Sequence, residues 1–462
     1  LKIDFWFVFA FVILALALSA PLISQYIPLN VLPSSIQEAE AIKHKTPPSE
    51  AKPFTEEDAN NTGSSSSSSL STAASHTSPD SSCISYNPTA RTITVSCASA
   101  RLSDVFNQLH DNSILTKQSS PGTWFLNANL VIAKGATFHI DSTDTKWLKI
   151  SSKVTRSTDV AKLAPAYWID VHGSLKIDSV KITSWDPTTN YYAITNGSRT
   201  GSGVFIFGAP RPSIVVENNA TGTTDITNSE IAYLGYEEGK HKGGSGLSYY
   251  YGGDGSVIRN NIIREVYFGL YTFGVGHMIV ENNIIRNSGH YGLDPHTGTH
   301  DMIIRNNIVY NNNGSGIICS LNCYNILIEN NKVHDNAGDA IDFSRNMYNS
   351  IARNNIVYNE PSGVFVSQSH NDQIYNNTIY KSRSGINVNS GSSNNKIFGN
   401  TISNSISNAI LLATGASGNT FTSNKITSVA PEGLEIEQDP TSKNNVFSNN
   451  QLIHSSTLAT TP

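Results

Sequence analysis

From Gly246 onward the chain repeats itself, and this repetition limits the possible fold more than any other feature. A Gly or Ala followed by an aliphatic residue recurs at Gly246, Gly269, Gly292, Gly316, Ala340, Gly363, Gly385, Ala409 and Gly433, at intervals of 22 to 24 residues. An Asn pair keeps the same beat at Asn260–Asn261, Asn282–Asn283, Asn306–Asn307, Asn330–Asn331, Asn354–Asn355 and Asn376–Asn377. A fixed period in this range marks a solenoid. Short β-branched runs around each pair, such as MIIRNNIVY and ILIENNKVH, make its rungs strands. Leucine-rich repeats share the period but need a dense Leu pattern, which the chain lacks. Asn tolerates left-handed backbone and can stack in hydrogen-bonded ladders, so the Asn pairs read as structural. The fold class is therefore all-β: a right-handed parallel β-helix, pectate-lyase-like, predicted over residues 124–453 and followed by a tail over 454–462. Residues 81–123, which include RLSDVFNQL, are predicted to form an N-terminal cap, because an open solenoid end invites unwanted strand pairing.

The first 80 residues share nothing with the repeat. The apolar run from Phe5 to Ala20 is short for a membrane span and long for a signal core, so both a signal peptide and an anchor are consistent with it. Residues 21–80, with the run Ser64–Ser69, read as a Ser/Pro-rich linker. Cys83 and Cys97 flank two extended stretches and could close a hairpin disulfide in an oxidising compartment; Cys319 and Cys323 read as structural. Charged residues make up only 15% of the chain and the net charge is −5, which argues against a basic grip on nucleic acid. A secreted or cell-surface location is expected, with any membrane contact made through the N-terminal segment alone, and a monomer is expected.

Strands of successive rungs stack about 4.8 Å apart, so equivalent positions form columns. The residue after each Gly or Ala (Leu247, Leu270, Leu293, Ile317, Ile341, Val364) is core. Strand alternation then directs Ser248/Tyr250, Tyr271/Phe273, Asp294/His296, Ile318/Ser320, Asp342/Ser344 and Phe365/Ser367 outward. Such a face suits a linear polysaccharide: Tyr250, Tyr271 and Phe273 offer rings, while Ser320 and Asp342 offer polar groups. One rung, HYGLDPH, gathers His290, Tyr291, Asp294 and His296. That many titratable groups in one rung points to a site rather than to a solvated face. A second column, Arg264, Arg286, Tyr310, His334, Tyr358 and Tyr380, could flank it. Arg259, Glu281, Arg305, Glu329 and Arg353 alternate in sign and read as a stabilising surface ladder.

The segment YGLDPH, Tyr291–His296, resembles the YG-hydrophobic-DPH signature of mannuronan C5-epimerases. ITSWDP (Ile182–Pro187) and IAYLGYEEGKHKGGSGLSYYY (Ile231–Tyr251) are similar to upstream coils of the periplasmic branch of that family. The family's acidic residue after DPH is Thr297 here, and Ser315 and Asp339 stand where the family carries basic residues or His. The resemblance implies an isomerase that removes the C5 proton of a uronate in a linear polyuronate and returns one to the opposite face. Such a reaction needs a base, an acid and neutralisation of the carboxylate. His296 and Tyr291 are the implied proton-transfer pair, with His290 as an alternative base. Asp294 would meet the substrate carboxylate in its protonated form, or else orient His296. Arg286 is the implied cation and Arg345 its substitute. No metal site and no required cofactor are implied, although Ca2+ is compatible with a polyuronate. A lyase acting by β-elimination and a non-catalytic binder are the alternatives.

Overall fold

The computed structural model describes residues 83–152, 167–194, 198–199, 205–206, 210–236, 244–428 and 434–454. The apolar run 5–20, the linker 21–80, Gly433, the tail from 455 on and residues 237–243 of the stretch Ile231–Tyr251 lie outside them.

Three long sheets run side by side, of 14, 13 and 14 strands. Each sheet takes every third strand of the repeat in sequence order, so one rung gives one strand to each sheet. Apart from these three sheets Ser198–Arg199 pairs antiparallel with Phe205–Ile206, and within them pairing is parallel except at the N-terminal end. There Ile84–Asn87 runs antiparallel to Thr92–Val95, and Leu115–Lys117 antiparallel to Thr123–Leu126. This is the right-handed parallel β-helix expected from the period. At its N-terminal end the helix Leu102–Leu109 buries Leu102 and Val105, while Phe106 lies edge-on to the buried Trp124. The Cys83–Cys97 disulfide closes the first hairpin.

The interior follows the column logic. Leu270, Leu293, Ile317, Ile341 and Val364 are stacked partners, each at most 1% exposed. Burying one such side chain contributes about 1.5–3 kcal/mol, so the column is a continuous source of stability. Gly292 opens its rung because a Cβ there would stand 2.4 Å from the carbonyl oxygen of Gly316.

The two residues of each Asn pair have different tasks. The first, from Asn260 to Asn376, turns the chain with φ between 55° and 58°. The second is buried, and its amide donates to the Oδ1 of the next rung's Asn, unbroken from Asn261 through Asn283, Asn307, Asn331, Asn355, Asn377, Asn400 and Asn424 to Asn450, at 2.9–3.1 Å. The sign-alternating column also pairs. Glu281 is bonded by Arg259 and Arg305, and Glu329 by Arg353 at 2.9 Å.

Candidate active site

The strand Leu293–His296 lies in the first sheet, between Phe268–Phe273 and Ile317–Ser320. Its register sets Asp294 beside Tyr271, and His296 beside Phe273 on one side and Ser320 on the other. Alternation buries Leu293 in the core and gives Asp294 and His296 one common face. The predicted columns are therefore real. Asp342 follows on the same face, paired with Ile318 and Phe365.

His296 is held at both ring nitrogens. Nδ1 lies 2.5 Å from Thr297 Oγ1, and Nε2 lies 3.1 Å from Nη2 of Arg345. A guanidinium has donors and no acceptor, so Nε2 must carry the lone pair and Nδ1 the proton. Arg345 is itself anchored to Ser320 Oγ, through Nε at 2.8 Å and Nη2 at 2.5 Å. Burial, followed by the nearby Arg345 charge, pushes the His296 pKa down to about 3. The imidazole is thus a neutral base in a fixed tautomer.

Burial pushes the neighbouring groups toward their neutral forms. Burial raises the Asp294 carboxyl well above the usual range, with Arg345 pulling the other way. Burial, then the Asp294 and Asp342 charges, raises the Tyr291 phenol. Asp342 is raised by burial and by Asp339, and Asp339 is itself pushed to about 6 by burial. His290 stacks on Phe268 at 5.1 Å and packs against Tyr291 at 3.9 Å, and burial lowers its pKa. Oδ1 of Asp294, Oδ1 of Asp342 and Nδ1 of His290 are buried without a protein partner. Orphaned polar atoms on one face are what a ligand rich in hydroxyls would satisfy.

One expectation, the exposed ring of Phe273, needs correction. Phe273 is fully buried, enclosed by the rings of Tyr250, Tyr251 and His296 at 5.0–6.3 Å, so it backs the site rather than offering its face to a sugar. Tyr250 remains partly exposed and Tyr271 is 6% exposed, their rings 5.7 Å apart. Arg286 stands in the third sheet, in register with Arg264 and Tyr310, and the guanidinium joined to His296 is that of Arg345. Arg345 follows the strand Ile341–Ser344 in left-handed backbone, φ 53°, which carries its side chain back across Ser320. Thr297 occupies the equivalent left-handed position after its own strand, φ 31°, and sequence reasoning assigned it no role. The signal for both was the residue just past each strand.

A family model described as Periplasmic copper-binding protein (NosD) matches residues 193–411 and 362–460, together more than half of the chain. The chain belongs to the NosD family. This NosD-family chain is also similar to a mannuronan C5-epimerase of Pseudomonas syringae pv. tomato, 25% identical over 193 residues, which bears out the resemblance carried by YGLDPH. That match covers 39% of this chain and 31% of the relative, so the chain spans about a third of the relative's length. Among solved structures, the periplasmic alginate epimerase AlgG matches with a TM-score of 0.66 at 20% identity, over 78% of this chain and 85% of that one, a likeness of fold.

Copper is bound by thiolate, imidazole and carboxylate donors. Cys319 and Cys323 are free, but both are buried, and the Cys323 thiol faces the carbonyls of Pro295 and Ser320. Among the described residues, His277, His300 and Asp301 bring three possible ligand atoms within 4.8 Å of one another. Two imidazoles and a carboxylate are a donor set that Cu(II) accepts.

Proposed function

We propose that the protein is an isomerase acting outside the cytoplasm on a linear polyuronate, inverting C5 of uronate residues of the mannuronate type. The observation that carries this reading is the hydrogen bond from Arg345 to Nε2 of His296, which leaves a neutral imidazole with its lone pair beside a cation. A uronate carboxylate arriving at Arg345 would bring its own C5 hydrogen next to that lone pair.

The steps follow from the protonation states. Arg345 and the protonated Asp294 hold the substrate carboxylate and offset the negative charge that grows on it as the proton leaves C5. Once Arg345 turns its Nη2 donor from Nε2 onto the carboxylate, His296 Nε2 is free to take that proton. The Tyr291 phenol, kept protonated by burial, gives its proton to C5 from the opposite face. Exchange with solvent returns Tyr291 and His296 to their starting states. This proton transfer is complete with side chains alone and needs no cofactor. Tyr250 and Tyr271 provide ring surface, and Ser320 and Asp342 polar groups, for the neighbouring sugars.

Polymannuronate incubated with the protein in heavy water tests the reading. Deuterium at C5, with guluronate-type residues and no ultraviolet absorbance from an unsaturated product, supports it. Unsaturated ends would identify a lyase instead, and binding without exchange or cleavage a non-catalytic groove.

A further inference from the structure

We propose that Asp339 and Asp342 make the groove beyond Arg345 selective for a sugar without a carboxylate, so that the substrate carries neutral sugars among its uronates. This rests on the reading of the groove as a polyuronate site. It narrows the substrate from a homopolymer of uronates to a mixed chain.

The pair repeats the placing of Tyr291 and Asp294 two rungs further along. Asp342 stands in the Asp294 column, with Ile318 between them. Asp339 precedes Ala340 as Tyr291 precedes Gly292. Rungs are about 4.8 Å apart, so the pair lies roughly 10 Å from the reacting centre, where a neighbouring sugar of the same chain would rest. On the next strands the same outward positions hold Ser344, Phe365, Ser367, Asn387 and Asn389, none of them a cation. Arg345 acts on Asp342 through its charge, but its guanidinium is turned back onto Ser320 and His296. Arg383 is exposed in the turn before Ser384, two rungs beyond the pair.

Asp342 is 7% exposed, and its Oδ1 is buried without a protein partner. Asp339 is bonded by Ser362, and the buried Glu360 adds a further acid close to it. Two acids this close do not both ionise. Burial and the Asp339 charge keep the proton on Asp342, while Asp339 loses its own at about pH 6. Above that pH the pair carries one negative charge. A uronate carboxylate placed there would add a second, with Arg345 already matched by the reacting carboxylate. Asp294 differs, because it meets its carboxylate together with Arg345. A sugar hydroxyl is donor and acceptor at once, so it satisfies the orphaned Oδ1 of Asp342 and brings no charge.

The test uses the full chain at a pH above the Asp339 titration and compares two polymers. One is polymannuronate, and the other is polymannuronate with part of its carboxylates reduced to hydroxymethyl groups. Calorimetry reads the affinity per uronate, and deuterium at C5 reads the chemistry. The mixed polymer should bind at least about fivefold tighter, the upper range of one exposed ion pair, since these acids are buried. Asp339→Asn removes the charge at constant shape and should lose most of the preference, and the double variant with Asp342→Asn should lose all of it. Asp111→Asn removes an exposed acid of the N-terminal cap and should leave the preference intact. The proposal is overturned if the wild type binds the homopolymer as tightly as the mixed chain or binds neither. It is also overturned if Asp339→Asn and the double variant both keep the preference. A preference in binding without C5 exchange would sink the isomerase reading and leave the selectivity standing.

Discussion

Arg345 donates from Nη2 to Nε2 of His296 across 3.1 Å, joining a residue after one strand to a residue two rungs earlier. The contact gives Arg345 two effects on the reaction. It would neutralise a bound carboxylate, and it holds the His296 pKa down. Arg345→Ala should therefore cut turnover by about a hundredfold, the usual scale for losing one charge-stabilising donor, and should also raise KM. Because that charge is the second cause of the depressed pKa, its removal lets the pKa rise. The acid limb of kcat against pH should move to higher pH in the variant, and a pH profile of C5 exchange checks both outcomes.

Tyr291 has the opposite requirement, a proton that it keeps until the transition state. Its raised pKa assigns it the role of acid and not of base. Tyr291→Phe keeps the ring packed against Phe268 and His290 and removes only the hydroxyl. Exchange at C5 should fall by at least about a hundredfold while polymer affinity stays within a few fold. Full exchange by this variant would remove Tyr291 from the mechanism.

Asp294 can be assigned between its two expected roles. Both ring nitrogens of His296 are engaged by Thr297 and Arg345, so Asp294 is not what orients the imidazole. A carboxyl held neutral by burial is mimicked well by an amide. Asp294→Asn should thus retain activity within about tenfold of wild type, the scale of one neutral hydrogen bond. A loss as large as that of Tyr291→Phe would show that the acidic proton itself is needed.

Much of this architecture was legible because parallel stacking turns a sequence period into spatial columns. Knowing the interval from Gly269 to Gly292 was enough to set Tyr271 beside Asp294. Departures from the strand pattern were not legible in this way. Arg345 and Thr297 follow their strands in left-handed backbone, where alternation no longer says which way a side chain points. The Arg286 column ends the strand that leads into the DPH rung, which suggests a flanking cation, yet a turn separates its sheet from that rung. Phe273 is placed by alternation, which gives a direction and not an exposure. It does point to the expected face, and neighbouring rings cover it there.

The Asn ladder predicts a large cost for a small deletion. Oδ1 of Asn331 accepts both the backbone N–H and the side-chain amide of Asn307, at 3.0 Å each. Asn331→Ala would strand both donors in the core and remove the bonds that Asn331 makes to Ile304 and Asn355. Each buried unsatisfied group costs about 1–3 kcal/mol, so a loss of roughly 2–6 kcal/mol is expected in chemical unfolding. Asn330→Ala removes the left-handed preference but no ladder bond, and should cost about 1–2 kcal/mol.

A second, shorter ladder ends on an acid and should make stability depend on pH. The backbone of Ser288 donates to Asn312, Asn312 to Asn336, and Asn336 to Glu360 Oε1 at 2.8 Å. Glu360 is 3% exposed, and burial pushes its pKa up to about 8. In the folded chain it keeps a proton that the unfolded chain has already released. Between pH 6.5 and 8 the folded state therefore holds this extra proton, and the part of the stability that Glu360 supplies falls as pH rises through that window. Near pH 6.5 the histidines with lowered pKa oppose this trend, because the unfolded chain still half-protonates them, and comparison with a Glu360 variant cancels their part. One proton held only by the folded state is worth about 1.4 kcal/mol per pH unit. Glu360→Gln keeps an acceptor for Asn336 and cannot ionise. Unfolding free energies measured at pH 6.5, 7.25 and 8 should show the wild type losing stability relative to the variant as pH rises. An unchanged slope would mean that Glu360 is ionised in the folded protein and that the ladder ends on a charge.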